Sequence, residues 1–157
     1  MSRGSAEAID PELRRRLAAD CFNKTWTLLD KGDRTPEDDD EMLHCAHASR
    51  HHWGEIGTAA HRARGEWQCS RVYAVLGRAE PALFHAQRCL GICEANPSEI
   101  EDWDLPFAYE ALARAHAVAG NAAESARCLE QARSRGAAIV EDEERELLES
   151  DLATIGT

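Results

Sequence analysis

Apolar side chains recur at the three- and four-residue spacing of an amphipathic α-helix along nearly the whole chain. The first predicted helix begins at Asp10-Pro11-Glu12, which supplies an N-cap, a proline at the first helical position and an acid in the first turn. Its apolar stripe consists of Leu13, Leu17, Cys21, Phe22, Leu28 and Leu29. No segment alternates apolar and polar residues for long, and no Asn-Gly or Asp-Gly hairpin occurs. The pattern predicts an all-α protein.

Capping and turn residues divide the rest of the chain into six further predicted helices. Thr35-Pro36-Glu37-Asp38 opens the second, which extends to about Trp53, with Gly54 and Gly57 bracketing a short turn. The next four span roughly residues 58–76, 80–96, 106–119 and 121–136. The last amphipathic segment uses Val140, Leu147, Leu148, Leu152 and Ile155. We expect about seven helices arranged in antiparallel hairpins.

Two matching segments lie at the corners of the later hairpins. Arg71-Val-Tyr-Ala-Val-Leu-Gly-Arg-Ala79 and Arg114-Ala-His-Ala-Val-Ala-Gly-Asn-Ala122 share arginine, alanine, valine, glycine and alanine at a shift of 43 residues. Each lies between two stretches with helical periodicity, so each predicts a tight corner between paired helices. A unit used twice in a short chain indicates stacked helical repeats, which usually form a binding surface rather than a reaction centre.

Composition and charge limit the classes of function. The chain has 157 residues, of which 30% are charged and 43% are hydrophobic, as in a globular protein. We expect a flexible N-terminus over residues 1–9 and one helical-repeat domain over residues 10–157. The net charge of −11 would repel nucleic acid or an anionic membrane surface. We therefore expect neither as a partner.

The lack of a recognisable export signal and the cysteine usage favour a cytoplasmic location. The first ten residues lack the apolar stretch of a signal peptide, and no segment approaches the roughly 18 apolar residues needed to cross a bilayer. Without an export signal, the six cysteines are interpreted as reduced thiols, most of them behaving as small buried hydrophobes.

The segment from about Ala63 to Gly136 resembles tetratricopeptide repeats. In that family, a tyrosine lies four residues before a corner glycine, and small residues follow the glycine at set positions. The earlier unit matches at Tyr73, Gly77, Ala82 and Cys89, and the later one at Tyr109, Leu112, Ala113, Gly120, Ser125, Leu129 and Ala132. Departures are His116 in place of the tyrosine, Ala86 in place of a bulky residue, and a spacing of 43 against roughly 34 residues in the family. The resemblance implies a right-handed superhelix with a groove for a peptide or protein partner.

The resemblance also places particular residues on the groove. Its groove positions correspond to Trp67, Arg71 and Ala74 in one unit and to Glu110, Arg114 and Ala117 in the next. We take Trp67, Arg71, Glu110 and Arg114 as the candidate binding residues. Two arginines on adjacent rungs could hold a carboxylate or phosphate of an anionic ligand. The alternative interpretation is that both arginines form internal ion pairs with the abundant acids.

A second constellation lies on the second predicted helix. His44, His47 and His51 fall on one side of it, and Glu37 and Asp40 extend the same stripe. Imidazole and carboxylate ligands suit a divalent transition metal such as zinc, nickel or iron. One helix easily offers two ligands, so a third would come from elsewhere, with His61, His85 and His116 as candidates. The alternative is a polar face that is rich in histidine, since no recognised metalloenzyme motif is present.

Two classes of function follow from these observations. The favoured one is a non-catalytic scaffold that binds a protein or peptide and needs no cofactor. The other is a metal-binding helical protein built on the His44, His47 and His51 stripe. Because the end faces of a short repeat stack are uncovered, we also expect a homodimer.

Overall fold

The computed structural model describes residue 4 and residues 6–156, and every regular element in that part of the chain is an α-helix. The seven helices are α1 (Pro11–Leu29), α2 (Pro36–Ile56), α3 (Ala59–Val75), α4 (Ala79–Ala95), α5 (Asp104–Val118), α6 (Ala122–Gly136) and α7 (Asp142–Ala153). The prediction of an all-α protein with about seven helices is confirmed. The predicted flexible N-terminus at residues 1–9 falls partly outside the described residues.

The first two helices begin where the capping pattern predicts. The Asp10 carboxylate accepts a hydrogen bond from the backbone N–H of Leu13, at 3.0 Å. At the start of α2, the Thr35 hydroxyl accepts from the N–H of Asp38, while the Asp38 carboxylate accepts from the N–H of Thr35. These bonds satisfy amide groups that have no partner within the helix.

The two matching corners have the same backbone geometry. Gly77 and Gly120 have φ angles of +73° and +77°, which side-chain-bearing residues rarely adopt. The Gly77 and Arg78 amides donate to Ala74 and Tyr73 carbonyls, at 3.0 and 2.8 Å. The Gly120 and Asn121 amides repeat both bonds, to Ala117 and His116, at 3.1 and 2.9 Å. Both corners are therefore Schellman caps, in which a left-handed glycine satisfies the last helical carbonyls.

A buried serine joins the two helices of each later hairpin. The Ser70 hydroxyl of α3 donates to the carbonyl of Ala82 in α4, at 2.8 Å. In the next unit the Ser125 hydroxyl of α6 donates to the carbonyl of Ala113 in α5, also at 2.8 Å. Positions 70 and 82 correspond to 113 and 125 at the repeat shift, so the bond is preserved while the serine changes helix. The repetition thus extends from the corners into the packing of the hairpins.

The helices stack as three antiparallel hairpins followed by α7. Consecutive helices pack against each other, and the odd-numbered helices also contact one another in the order α1, α3, α5, α7. Within the described part of the chain, no two even-numbered helices make such contacts. The stack therefore curves, with the odd-numbered helices on its inner side.

Small residues allow this close packing. Ala82, Ala86, Ala113, Ala115 and Ala132 lie in the main core cluster together with Leu112, Leu129, Leu148 and Leu152. A smaller cluster around Met42, Cys69 and Val72 joins the first hairpin to α3. All six cysteines carry free thiols, and five of them are buried.

Three boundaries differ from the sequence prediction. Gly54 continues α2, which ends at Ile56 and is followed by Gly57 as the C-cap with extended backbone. Helix α5 begins two residues before Pro106. Val140 lies outside α7 and is 78% exposed, while Leu147 within α7 is 51% exposed.

In the described part of the chain, none of the helices has the length and apolar character that a membrane span requires.

Replacement of a corner glycine tests the corner geometry. Gly77→Ala should destabilise the fold by about 1 kcal/mol or more, because alanine is strained at positive φ. Gly91→Ala is the matched control, since Gly91 is an exposed position within α4 with open space for a Cβ, and it should stabilise the fold by up to about 1 kcal/mol. Urea unfolding measures both values. Equal effects would contradict the assigned corner geometry.

Candidate functional site

A cleft of about 500 Å³ opens on the inner side of the stack, between the odd-numbered helices. Helix α1 forms one wall, α3 and α5 form the floor, and α7 forms the opposite wall. Its lining residues are Phe22, Trp26, Asp30, Arg64, Trp67, Trp103, Asp104, Phe107, Glu144, Leu147 and Asp151. This volume is typical of a ligand-binding site.

The cleft concentrates the aromatic side chains of the protein. Three of the four tryptophans and two of the three phenylalanines line it. Each of these five side chains is half-buried, so part of every ring faces the cleft. The Trp67 ring lies 5.5 Å from that of Trp26 and 5.8 Å from that of Phe107, between centroids. The result is a contiguous aromatic floor that connects α1, α3 and α5.

One fully buried carboxylate anchors this floor. Glu110 of α5 has 0% exposure and accepts a hydrogen bond from the indole nitrogen of Trp67, at 2.8 Å. Its other oxygen, Oε1, lies 2.7 Å from Arg114 and 3.4 Å from Arg71. A buried carboxylate is costly without such partners. Glu110 therefore fixes the orientation of three of the four candidate binding residues, and is itself the fourth.

The guanidinium group of Arg71, which contacts Glu110, also connects α1 to α7. Its guanidinium lies 5.5 Å from the Trp67 ring centroid and 5.9 Å from that of Trp26, which are cation–π distances. It also pairs with Asp151 of α7, at 2.9 Å. Burial raises the pKa of Asp151, although the charge of Arg71 opposes that effect.

Arg114 holds the end of α7 in place. Its guanidinium donates to the carbonyl of Asp151 at 2.9 Å and to the hydroxyl of Thr154 at 2.8 Å. The wall that α7 contributes to the cleft thus depends on both repeated arginines. We refer to Glu110, Arg71, Arg114 and Asp151 as the Glu110 network.

The four candidate binding residues lie together, but the charges of Arg71, Glu110 and Arg114 are paired with one another inside the protein. Arg71 and Arg114 both contact Glu110, as the alternative interpretation of internal ion pairs anticipates. Trp67 is the only one of the four that lines the cleft itself. An anionic ligand would have to compete with Glu110 and Asp151 for the same guanidinium groups.

A second ion pair lies at the other end of the cleft. Arg64 binds both carboxylate oxygens of the buried Asp104, at 2.8 and 2.9 Å. The guanidinium also lies over Trp103, with 5.5 Å to the ring centroid. This pair joins α3 to the start of α5 and fixes Trp103 beside the cleft.

The histidine stripe of α2 is divided between the interior and the surface. His47 is half-buried between α2 and α3, with Nε2 2.9 Å from the Tyr73 hydroxyl. His44 and His51 are exposed, and the His51 ring lies against that of His52. The described residues contain no group of three or more His, Cys, Asp or Glu side chains placed to hold a metal ion.

A buried polar cluster lies beside His47. Glu66 is buried and contacts Arg50, His85 and Arg88 at 3.0, 2.6 and 3.2 Å. Burial alone would raise the pKa of Glu66, but the hydrogen bond and charge of His85 and the charge of Arg50 lower it below its ordinary value. Nearby, burial raises the pKa of Cys69 to about 12, so this thiol is protonated at neutral pH. The cluster stabilises the contact of α2, α3 and α4.

Comparison with models of known protein families gives no match, and comparison with curated proteins gives no match either. The assignment of the site therefore rests on its geometry.

Sequence reasoning missed most of the cleft. Phe22 is predicted only as part of the apolar stripe of the first helix, and no role is predicted for Trp26, Trp103 or Phe107. The available signal was that the three cleft tryptophans recur about once per hairpin, each on or just before an odd-numbered helix. The contribution of α7 could not be read from its pattern, because its orientation depends on the Glu110 network.

Removal of the buried charge tests the Glu110 network. Glu110→Gln should destabilise the fold by about 3 kcal/mol, because two half-buried guanidinium groups lose their shared carboxylate. Arg127→Gln, which breaks an exposed pair with Glu124, should change stability by less than about 0.5 kcal/mol. Urea unfolding provides the measurement. Similar small losses in both variants would show that the network contributes little.

The half-buried histidine predicts a pH dependence of stability. Burial, followed by the charge of His85, lowers the pKa of His47 below 6.5, so the unfolded chain binds a proton more readily than the folded one. The free energy of unfolding should therefore fall as the pH is lowered from about 7.5 to about 5.5. His47→Gln should reduce this slope, whereas His44→Gln at an exposed position of α2 should leave it unchanged. An unchanged slope in His47→Gln would rule out this origin.

Proposed function

We propose that this protein is a non-catalytic binding module whose cleft takes a peptide segment of a protein partner. The observation that carries the proposal is the concentration of half-buried aromatic side chains in one cleft between α1, α3, α5 and α7. Partly exposed tryptophan and phenylalanine rings offer large contact area at low cost in conformational entropy, which is typical of interface anchors.

The rigidity of the cleft supports a binding role. Its floor is fixed by the indole of Trp67 on Glu110, and its ends by ion pairs of Arg71 and Arg64. A preformed site loses less conformational freedom when a ligand binds. Leu147, which is 51% exposed on the α7 wall, adds apolar surface that a ligand can contact.

The resemblance to tetratricopeptide repeats agrees with this proposal. Members of that family bind peptides on the inner side of the superhelix, and the cleft lies on the inner side of this stack. Family membership, the handedness of the superhelix, the homodimer and the cytoplasmic location stay predictions. The metal-binding alternative has less support, since the described residues around His44, His47 and His51 form no group of three ligands for a metal ion.

A random peptide library tests the proposal directly. Displayed twelve-residue peptides are selected against the immobilised protein, and the enriched sequences are synthesised and titrated by calorimetry. Leu147→Arg, which fills the cleft with a bulky side chain, should weaken their binding by roughly tenfold or more. The matched control is Val140→Arg, which adds the same side chain at an exposed position outside the cleft and should leave affinity unchanged.

Thermal unfolding of both variants verifies that they fold. Enriched peptides that bind Leu147→Arg and the unmodified protein equally well would contradict the proposal, as would a library in which no sequence is enriched.

A further inference from the structure

Two carboxylates of the cleft form no ion pair among the described residues. The cleft is lined by four acidic side chains and one basic one, Arg64. Arg64 is bound to Asp104, and Asp151 is bound to Arg71. Asp30 at the end of α1 and Glu144 on α7 make no ion pair in the described structure. Each wall of the cleft thus carries one carboxylate outside any ion pair.

The basic residues closest to Asp30 in the sequence are already engaged elsewhere. Lys31 pairs with Asp38, and Arg34 pairs with Asp39 while also donating to the last carbonyls of α1. Neither is available to neutralise the cleft without losing these contacts. A ligand that brings its own cation would gain from both walls at once.

The aromatic rings of the cleft supply its apolar surface. All three cleft tryptophans already lie at cation–π distance from a guanidinium of this chain, Arg71 for Trp26 and Trp67 and Arg64 for Trp103. They therefore offer a ligand contact area, and the negative charge comes from the carboxylates. The site therefore combines aromatic surface and negative charge, which is the complement of a basic, partly apolar ligand.

We propose that the peptide taken by the cleft is basic, with a lysine or arginine side chain between Asp30 and Glu144 and an apolar side chain against Leu147 and the aromatic floor. This inference rests on the proposed function and names its ligand class. It replaces the anionic ligand expected from Arg71 and Arg114, whose guanidinium groups are bound to Glu110 and Asp151.

The apolar share of the cleft favours a peptide over a free amine. Five aromatic rings and Leu147 form most of the lining. A polyamine would neutralise the two carboxylates but would leave much of this apolar surface in water. A peptide that carries both basic and apolar side chains covers both features.

Three synthetic peptides provide the probes. They share three leucines and differ only at four positions, which hold lysine, glutamine or glutamate. Tryptophan fluorescence of the protein reports binding, because three of its four indoles line the cleft. We expect the lysine peptide to bind roughly tenfold more tightly than the other two.

Two double variants distinguish binding in the cleft from general attraction to the net negative charge of the protein. Asp30→Asn/Glu144→Gln should weaken binding of the lysine peptide by roughly tenfold. Glu146→Gln/Glu149→Gln removes the same charge from exposed positions of α7 that do not line the cleft. This pair should weaken binding of the lysine peptide by less than about twofold. Equal weakening by both pairs would show non-specific attraction to an acidic protein and would overturn the inference.

The remaining outcomes distinguish this inference from the proposed function. Equal or tighter binding of the glutamine or glutamate peptide, lost in Leu147→Arg, would overturn the inference and leave the proposed function standing. Spermidine that binds as tightly as the lysine peptide would also overturn it, in favour of a free amine. If no library peptide or probe shows binding that depends on Leu147, the proposed function itself fails.

Discussion

The buried carboxylate of Glu110 is the interaction on which the rest of the structure depends. It has no exposure to water, so its charge must be balanced inside the protein, and the partners that balance it come from α3 and α5. Through Arg71 the network reaches Trp26 of α1 and Asp151 of α7. All four odd-numbered helices are therefore joined around one group, and the spacing of these helices defines the cleft.

The Glu110 network also explains why the lining of the cleft is aromatic and acidic. Arginine side chains that could have faced a ligand are turned inward to satisfy Glu110, while acidic side chains of α1 and α7 remain at the cleft walls. Trp67 donates its indole proton to Glu110 and leaves part of its ring facing the cleft. An aromatic and acidic site follows from the way the buried charge is satisfied.

Much of the fold could be predicted from the sequence, because it depends on local signals. Asp10, Thr35 and the left-handed glycines at 77 and 120 define helix ends through bonds within a few residues. The candidate residues Trp67, Arg71, Glu110 and Arg114 do lie together. Their role was harder to predict, because an arginine on a helix face has the same pattern whether it meets a ligand or an internal acid. The contribution of α7 depends on Asp151 meeting Arg71, 80 residues earlier in the chain, and no local pattern encodes that contact.

Hydrogen exchange of the indole N–H groups, followed by NMR, tests the central role of Glu110 most directly. We expect the Trp67 indole proton to exchange slowest of the four, because it is donated to a fully buried carboxylate at 2.8 Å. The indole protons of Trp26 and Trp103, for which the described structure provides no acceptor, should exchange quickly. A Trp67 indole proton that exchanges as fast as these two would contradict the central role of Glu110.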